Sequence, residues 1–221
     1  MAQKHALIAG ATGLVGNELL QQLIGGRQYH TISLLSRHEI ETTSKRVETI
    51  IVDYDQLTDE QIPAVDDVFC CLGTTMNKAG SKEAFRKVDH DYPLRVAEIT
   101  RRKGAQQYLL VSAMGADPTS YFFYNRVKGE VEEAIARLNF DAFHVLRPSM
   151  LLGERTETRT GEQIGQVMMQ SVAPLMVGGL KKYQPIAAST VAEAMVCVAK
   201  KELRGVYVFE SDKIKSLVQY A

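Results

Sequence analysis

Short apolar runs alternate with longer amphipathic stretches along the 221 residues of the chain, and this succession is typical of repeated βαβ units. Several of the runs are apolar almost throughout, such as Val68–Leu72 and Tyr108–Val111. Runs of that kind are typical of strands that are buried on both faces of a parallel sheet. The sequence therefore predicts an α/β fold with a doubly wound parallel sheet, in a single domain over residues 1–221.

The alternation also predicts where the elements lie. The strands are expected at His5–Ala9, Thr31–Ser36, Val47–Asp53, Asp67–Leu72, Gln106–Ser112, Asp141–Arg147 and Val206–Glu210. The helices are expected at Leu14–Ile24, Ser81–Arg102, Asn125–Leu138, Glu162–Ser171 and Thr190–Lys200. The glycine-containing stretch from Pro148 to Pro185 breaks the alternation, so residues 148–187 are expected to form an irregular insertion that builds a small substrate pocket.

Composition and charge argue against several classes of protein. The 26 basic residues balance the 26 acidic ones, so no net field attracts nucleic acid or anionic lipid. Cys70 and Cys71 are adjacent and Cys197 is distant, which predicts neither a disulfide framework nor a metal site. No stretch approaches the ~18 apolar residues of a membrane span, and the first apolar run lacks the pattern of a signal peptide. We expect a cytoplasmic protein.

Two polar groups are interpreted without a catalytic role. The five histidines are scattered, with no spacing that suits a metal ion. The run Asp89-His90-Asp91 falls inside a predicted helix, where it is expected to form a solvated face or a local hydrogen-bond network.

The first predicted strand runs into a glycine-rich loop with the sequence GATGLVG, after which an amphipathic helix begins. Glycines at this turn allow the backbone to approach a pyrophosphate, and the helix N-terminus offers free N–H groups with a partial positive charge. The alternative is a glycine-rich structural turn. The candidate cofactor-binding residues in the loop are Gly10, Thr12, Gly13, Leu14, Val15 and Gly16.

The end of the second predicted strand bears on the choice between NAD and NADP. Many NAD-binding proteins have a carboxylate here for the ribose 2′-hydroxyl, whereas this chain has Ser36 and Arg37. A guanidinium pairs with a 2′-phosphate that a carboxylate would repel. NADP is therefore the predicted cofactor, unless Arg37 is a solvated loop residue and Glu39 or Glu41 binds the ribose.

Two further strand ends carry candidate cofactor-binding residues. Asp53 closes the third predicted strand, where it either meets an adenine ring or serves as a turn or N-cap residue. Leu72, Gly73 and Thr74 follow the fourth strand, and Gly73 would let the nicotinamide ribose pass closely. A structural strand-to-loop turn is the alternative for this second group.

The candidate catalytic residues are Ser112, Tyr124 and Lys128. Tyr124 and Lys128 are four residues apart near the start of a predicted helix, so their side chains can share a face. A nearby ammonium favours the phenolate and is expected to lower the pKa of Tyr124 towards the range of a general acid or base. Ser112 ends the preceding strand, where its hydroxyl could bind a substrate oxygen. The alternatives are a packed loop tyrosine, a surface lysine and a turn-capping serine.

Several motifs in this order resemble the atypical short-chain dehydrogenase/reductase family, in its Tat-interactive oxidoreductase-like branch. The resemblance covers nearly the whole chain. The matching motifs are GATGLVG at 10–16, CCLGTT at 70–75, KAG at 78–80, VDHDY at 88–92, VSAMGAD at 111–117, YNRVKGE at 124–130 and LRPSMLLG at 146–153.

This resemblance implies a Rossmann-type sheet that binds NADP(H) across its carboxyl edge. It also implies that Tyr124 exchanges a proton with a carbonyl or alcohol, that Lys128 holds the nicotinamide ribose and that Ser112 orients the substrate oxygen. The backbone around Pro148 is implied to pass near the nicotinamide. The short C-terminal part disfavours a large nucleotide-sugar substrate.

The predicted function is that of an NADP-dependent oxidoreductase, which transfers hydride between the nicotinamide and a small carbonyl or alcohol substrate. One alternative is an NADPH-binding redox sensor or regulatory protein without turnover. Another is a sugar-nucleotide epimerase or dehydratase that retains its cofactor. Neither nucleic acid nor a membrane is an expected partner, and the sequence leaves a protein partner open.

Overall fold

The computed structural model describes residues 4–153, 182–201 and 203–219. Its centre is a seven-stranded, wholly parallel sheet of β1 (Lys4–Ala9), β2 (Tyr29–Ser36), β3 (Val47–Ile51), β4 (Asp67–Cys70), β5 (Gln107–Val111), β6 (Ala142–Arg147) and β9 (Gly205–Glu210). The strand order is β3-β2-β1-β4-β5-β6-β9. A separate parallel pair is formed by β7 (Leu151–Leu152) and β8 (Ile186–Ala187). The predicted Rossmann-type doubly wound fold is confirmed.

Helices cover both faces of the sheet. They are α1 (Leu14–Gly25), α2 (Met76–Ala79), α3 (Lys82–Arg86), α4 (Tyr92–Arg102), α5 (Phe123–Ala136), α6 (Ala188–Lys201) and α7 (Ser211–Gln219). Alternate strand residues point to opposite faces, so Ile8 packs in the core beneath α1 and α6, while Leu7 packs in the core beneath α4 and α5. The near-continuous apolar strands thus follow from burial on both sides.

The order of the strands reverses at β1, because β2 lies on one side of it and β4 on the other. In open α/β sheets, ligands bind beyond the carboxyl ends of the strands at such a reversal. The loops that follow Ala9 and Cys70 diverge there, and the crevice between them is the expected ligand-binding site.

All seven predicted strands are present, with ends that differ by one or two residues. The helix predicted at Ser81–Arg102 is interrupted, because a π-helical turn over Lys87–Asp91 separates α3 from α4. Helix α7 was not predicted from the sequence. The helix expected at Glu162–Ser171 lies outside the described residues, as does most of the 148–187 insertion.

The start of α1 packs tightly on the glycine loop. A Cβ atom at Gly16 would fall on the carbonyl oxygen of Gly10 and 2.9 Å from the Cα of Ala11. Both neighbours are backbone atoms, so they cannot move aside cheaply. The third glycine of the loop is therefore required by packing between helix and strand.

Gly16→Ala is expected to lower the free energy of unfolding by roughly 1–3 kcal/mol, the usual effect of overpacking. Gly25→Ala is the matched control in the same helix, since nothing lies within 4 Å of a Cβ there; its effect should stay within about 0.5 kcal/mol of zero or be slightly stabilising. Urea denaturation of both variants gives the comparison. Equal effects would contradict the close packing of α1 on the loop.

Candidate active site

A cavity of about 980 Å³ opens at the carboxyl edge of the sheet, where the strand order reverses. Its walls come from the β1–α1 loop, the β4–α2 loop, the end of β5, helix α5 and the β7–β8 pair. Ten of the predicted site residues line it: Thr12, Gly13, Leu14, Val15, Leu72, Gly73, Thr74, Ser112, Tyr124 and Lys128. The fold thus brings the glycine loop and the three candidate catalytic residues to one cavity.

The glycine loop forms a cradle of backbone. Gly10 has a positive φ of 89°, and a Cβ there would lie 2.7 Å from the carbonyl carbon and oxygen of Cys71. Gly13 is the N-cap of α1 without a side-chain cap, and the first turn of α1 contains no acidic residue. The partial positive charge at this helix end is therefore not neutralised locally, and the chemistry of the cradle fits a pyrophosphate.

Lys128 does not stand alone in the cavity wall. Its ammonium forms an ion pair with Asp89 at 2.7 Å, and the exposed fractions of the two side chains are only 6% and 1%. The second carboxylate oxygen of Asp89 accepts a hydrogen bond from the backbone N–H of Thr74 at 2.8 Å. Asp89 was interpreted as part of a solvated face or of a local hydrogen-bond network. The solvated face is wrong, because the π turn directs Asp89 inward between α5 and the β4–α2 loop, where it joins a buried network.

Tyr124 lies one helical turn before Lys128, and its ring packs against Phe85 at 5.4 Å. Burial raises the pKa of its phenol above the ordinary value; the ammonium of Lys128 lowers that pKa, while the carboxylate of Asp89 raises it. The lowered pKa expected from the sequence is therefore wrong for this geometry, since desolvation outweighs the lysine and Asp89 offsets part of its charge. Tyr124 is a protonated phenol at neutral pH.

Burial alone would lower the pKa of Lys128, but its pKa is raised overall by Asp89, Tyr124 and Cys70. The lysine is thus a charged group at every physiological pH. A permanently charged ammonium is a suitable donor for the hydroxyl groups of a ribose.

Ser112 is held by a second buried carboxylate. Its hydroxyl donates to Glu132, which lies four residues after Lys128 on α5. Arg147, at the end of β6, donates to the same carboxylate through Nε at 3.1 Å and through its terminal nitrogen at 2.5 Å. Because the proton of Ser112 is directed to Glu132, the serine offers the cavity its oxygen lone pairs.

The other predicted site residues lie outside the cavity wall. Gly10 packs against the backbone of Cys71, and Gly16 packs against the backbone of Gly10 and Ala11. Asp53 caps a short 3₁₀ helix by accepting from the N–H of Asp55 at 3.0 Å, in agreement with the turn alternative. The carbonyl of Pro148 accepts from the N–H of Met114 at 3.0 Å. An adenine contact for Asp53 and a nicotinamide contact for Pro148 stay predictions.

Ser36 and Arg37 lie at the end of β2, on the same edge of the sheet as the cavity. Ser36 is buried, and its hydroxyl accepts from the N–H of His38 at 3.3 Å. Arg37 is exposed, and it forms no hydrogen bond or ion pair with the residues that the structure describes. Its guanidinium is therefore available to an anionic ligand.

The described part of the chain contains neither a cluster of metal-ligating side chains nor a candidate membrane span. Within residues 4–153, 182–201 and 203–219 there is no group of three or more His, Cys, Asp or Glu side chains that could hold a metal ion. Over the same residues, no helix combines the length and the apolar character that a membrane span requires.

The sheet, its order and the glycine cradle define a dinucleotide-binding α/β protein of the Rossmann type. A family model described as NAD(P)H-binding matches residues 10–200, and the chain belongs to this family. The resemblance to atypical short-chain dehydrogenases/reductases is confirmed.

Three known proteins illustrate the relationship. Protein HTATIP2 of Rattus norvegicus is 37% identical over 202 residues, which are 89% of this chain and 81% of the rat protein. Protein FMP52, mitochondrial, of Eremothecium gossypii is 33% identical over 222 residues, 97% of each chain. The solved structure of MoeE5 in complex with UDP-glucuronic acid and NAD has a TM-score of 0.71 at 15% identity, covering 92% of this chain and 75% of that one. At that identity the likeness concerns the fold alone.

Sequence reasoning missed Asp89, Glu132 and Arg147. Glu132 had a usable signal, because Tyr124, Lys128 and Glu132 follow one another at intervals of four on a predicted helix. Asp89 and Arg147 lie within the VDHDY and LRPSMLLG motifs, but those motifs do not show their partners, which are distant in sequence and meet them only in the folded chain.

Glu132→Gln is expected to lower the free energy of unfolding by roughly 3–5 kcal/mol, because it leaves the Arg147 guanidinium without a carboxylate in a largely buried site. Glu133→Gln is the matched control one residue along α5, where the pair with Arg137 has side chains that are 52% and 77% exposed; its effect should stay below about 1 kcal/mol. Urea denaturation measures both. A small effect at Glu132 would show that the Ser112–Glu132–Arg147 arrangement is not formed in solution.

Proposed function

We propose that the chain is an NADP-dependent oxidoreductase that transfers hydride between the nicotinamide and a small carbonyl or alcohol substrate. The observation that carries the proposal is the shared cavity: Tyr124 and Lys128 line the same space as Gly13 and the start of α1. A dinucleotide bound through the loop would be accompanied by a phenol and an ammonium in the same cavity. When bound, the nicotinamide supplies or accepts the hydride.

The residues of the chain have distinct proposed roles. The loop Gly10–Gly16 and the N–H groups of α1 bind the pyrophosphate, and Lys128 donates hydrogen bonds to the nicotinamide ribose. Tyr124 donates its phenolic proton to the oxygen of a carbonyl as that carbon accepts hydride, and its protonated state at neutral pH supports this direction. Ser112 accepts a hydrogen bond in the site, because its own proton is directed to Glu132.

NADP is proposed over NAD on the basis of Arg37. Its exposed guanidinium follows β2 at the edge where the adenosine half of a dinucleotide lies in folds of this type. A 2′-phosphate would pair with it through charge-assisted hydrogen bonds. The neighbouring hydroxyl of Ser36 is proposed as a second donor.

The substrate is proposed to be small. After β6, the described part of the cavity wall consists of two short segments, Leu151–Gly153 and Ala187–Ser189, which suit a compact molecule. The UDP-glucuronic acid bound to MoeE5 is a ligand of that protein. The cytoplasmic location also stays a prediction, because fungal relatives are named as mitochondrial.

Arg37→Ala should weaken NADPH binding by roughly 10- to 100-fold, since a charged hydrogen bond contributes about 1.5–3 kcal/mol. NADH binding should be nearly unchanged, because NADH has no 2′-phosphate. Fluorescence titration with both dinucleotides gives the ratio, and Arg27→Ala provides an arginine control on the α1–β2 connection. Equal loss for both dinucleotides would contradict the NADP assignment.

Tyr124→Phe should leave the NADPH dissociation constant within about twofold while lowering carbonyl-dependent NADPH oxidation by roughly 10²- to 10⁴-fold, the usual contribution of a general acid. Tyr121→Phe is the control, because this side chain is 94% exposed and has no proposed role. A panel of small aldehydes and ketones, followed by nicotinamide absorbance, measures turnover. Unchanged turnover in Tyr124→Phe would contradict the proposed role of Tyr124 as the proton donor. NADPH binding without turnover in the wild type would favour a redox sensor.

A further inference from the structure

Packing alone does not explain why Asp89 and Lys128 form a buried ion pair. A buried ion pair adds little net stability compared with apolar side chains of the same size, because both charges are desolvated. This one is almost wholly buried, and it lies against the cavity instead of the core. Such an arrangement points to a functional reason for keeping a carboxylate there.

The local backbone is built around the pair. The π turn Lys87–Asp91 interrupts what would otherwise be one continuous helix, and π-helical turns occur frequently at functional sites. Asp89 uses one oxygen for Lys128 and the other for the N–H of Thr74. The carboxylate therefore links helix α5 to the β4–α2 loop across the cavity wall.

Gly73 lies directly over the pair. A Cβ atom at this position would be 3.4 Å from Oδ1 of Asp89 and 3.7 Å from Nζ of Lys128. The backbone of the loop thus packs against the pair, and Gly73, Asp89 and Lys128 all line the cavity. The ammonium is held at one place on the wall instead of ranging over the rotamers of a free lysine.

We propose that Asp89 is a positioning residue, which fixes the Lys128 ammonium beside Tyr124 so that a dinucleotide ribose meets a charged donor already in place. This inference rests on the proposed function. Preorganisation of this kind lowers the entropy lost on binding, because the long lysine side chain is ordered beforehand. It also implies that the charge of Lys128 depends on Asp89.

Among the described residues, three titratable groups face the Lys128 ammonium. They are Asp89 from the π turn, Tyr124 from the preceding turn of α5 and the Cys70 thiol at the end of β4. Burial raises the pKa of both the Tyr124 phenol and the Cys70 thiol, so neither of these two groups supplies a negative charge at neutral pH. In Asp89→Asn, burial would act on the lysine without a compensating carboxylate, and its pKa would fall below the ordinary value.

The first measurement is thermal unfolding of Asp89→Asn, Lys128→Met and the double variant. Each single variant should lower Tm by roughly 10 °C, because it leaves one buried charge unpaired. The double variant should recover most of that loss. Asp59→Asn, which affects an exposed pair with Arg102, is the control and should change Tm by less than about 2 °C. If the Tm losses of the two single variants add up in the double variant, the ion pair is overturned. If the single variants do not fold and the double variant does, the ion pair is supported.

The second measurement is the NADPH dissociation constant between pH 7.5 and 9.5. Wild-type affinity should change by less than about threefold, because Lys128 stays charged. In Asp89→Asn the affinity should fall by roughly tenfold as pH rises, since a deprotonated amine is a weaker donor than an ammonium. The double variant should bind weakly at every pH in the range. A flat profile in Asp89→Asn would overturn the positioning role.

The two measurements separate this inference from the proposed function. Coupled Tm losses together with a flat pH profile would make the pair structural only and would leave the oxidoreductase intact. Absence of NADPH binding by the wild type would contradict the proposed function and, with it, the positioning role, whatever the Tm values. Tm losses that the double variant recovers, together with an NADPH affinity that falls as pH rises in Asp89→Asn, support the positioning role and the proposed function.

Discussion

Close backbone contact between the glycine loop and the end of β4 is the constraint on which the site depends. Gly10 has a positive φ, and its Cα lies where any Cβ would strike the Cys71 carbonyl. This contact fixes the divergence of the two loops at the reversal of strand order. It leaves the start of α1 open to the cavity, and the three candidate catalytic side chains line the same cavity.

The charges of the site are arranged as two buried carboxylates that each hold one candidate catalytic residue. Asp89 pairs with Lys128, and Glu132 accepts from Ser112 while pairing with Arg147. Both sets combine residues that are far apart in sequence, so the polar groups tie α5 to the π turn and to the sheet. These pairs connect the cavity wall in addition to the apolar cores on either side of the sheet.

The sequence predicts the sheet well because burial on both faces leaves nearly continuous apolar runs, as at β4 and β5. It predicts the loop residues and the Tyr124–Lys128 face because both are local patterns. It does not predict α7, whose apolar face is limited to a few residues such as Ile214 and Leu217. It also misplaces Asp89, because a π turn has no local signature and the partner of Asp89 lies on another helix. Charge balance in a cavity is a tertiary property.

We propose that hydride moves in the cavity shared by the glycine loop and Tyr124. The most direct test uses NADPH carrying deuterium at C4 of the nicotinamide, in each of its two stereochemical forms, with a panel of small carbonyl compounds. Mass spectrometry of the products should show one deuterium on the former carbonyl carbon for one of the two forms, and none with Tyr124→Phe. NADPH that binds tightly but transfers no deuterium to any member of the panel would contradict the account.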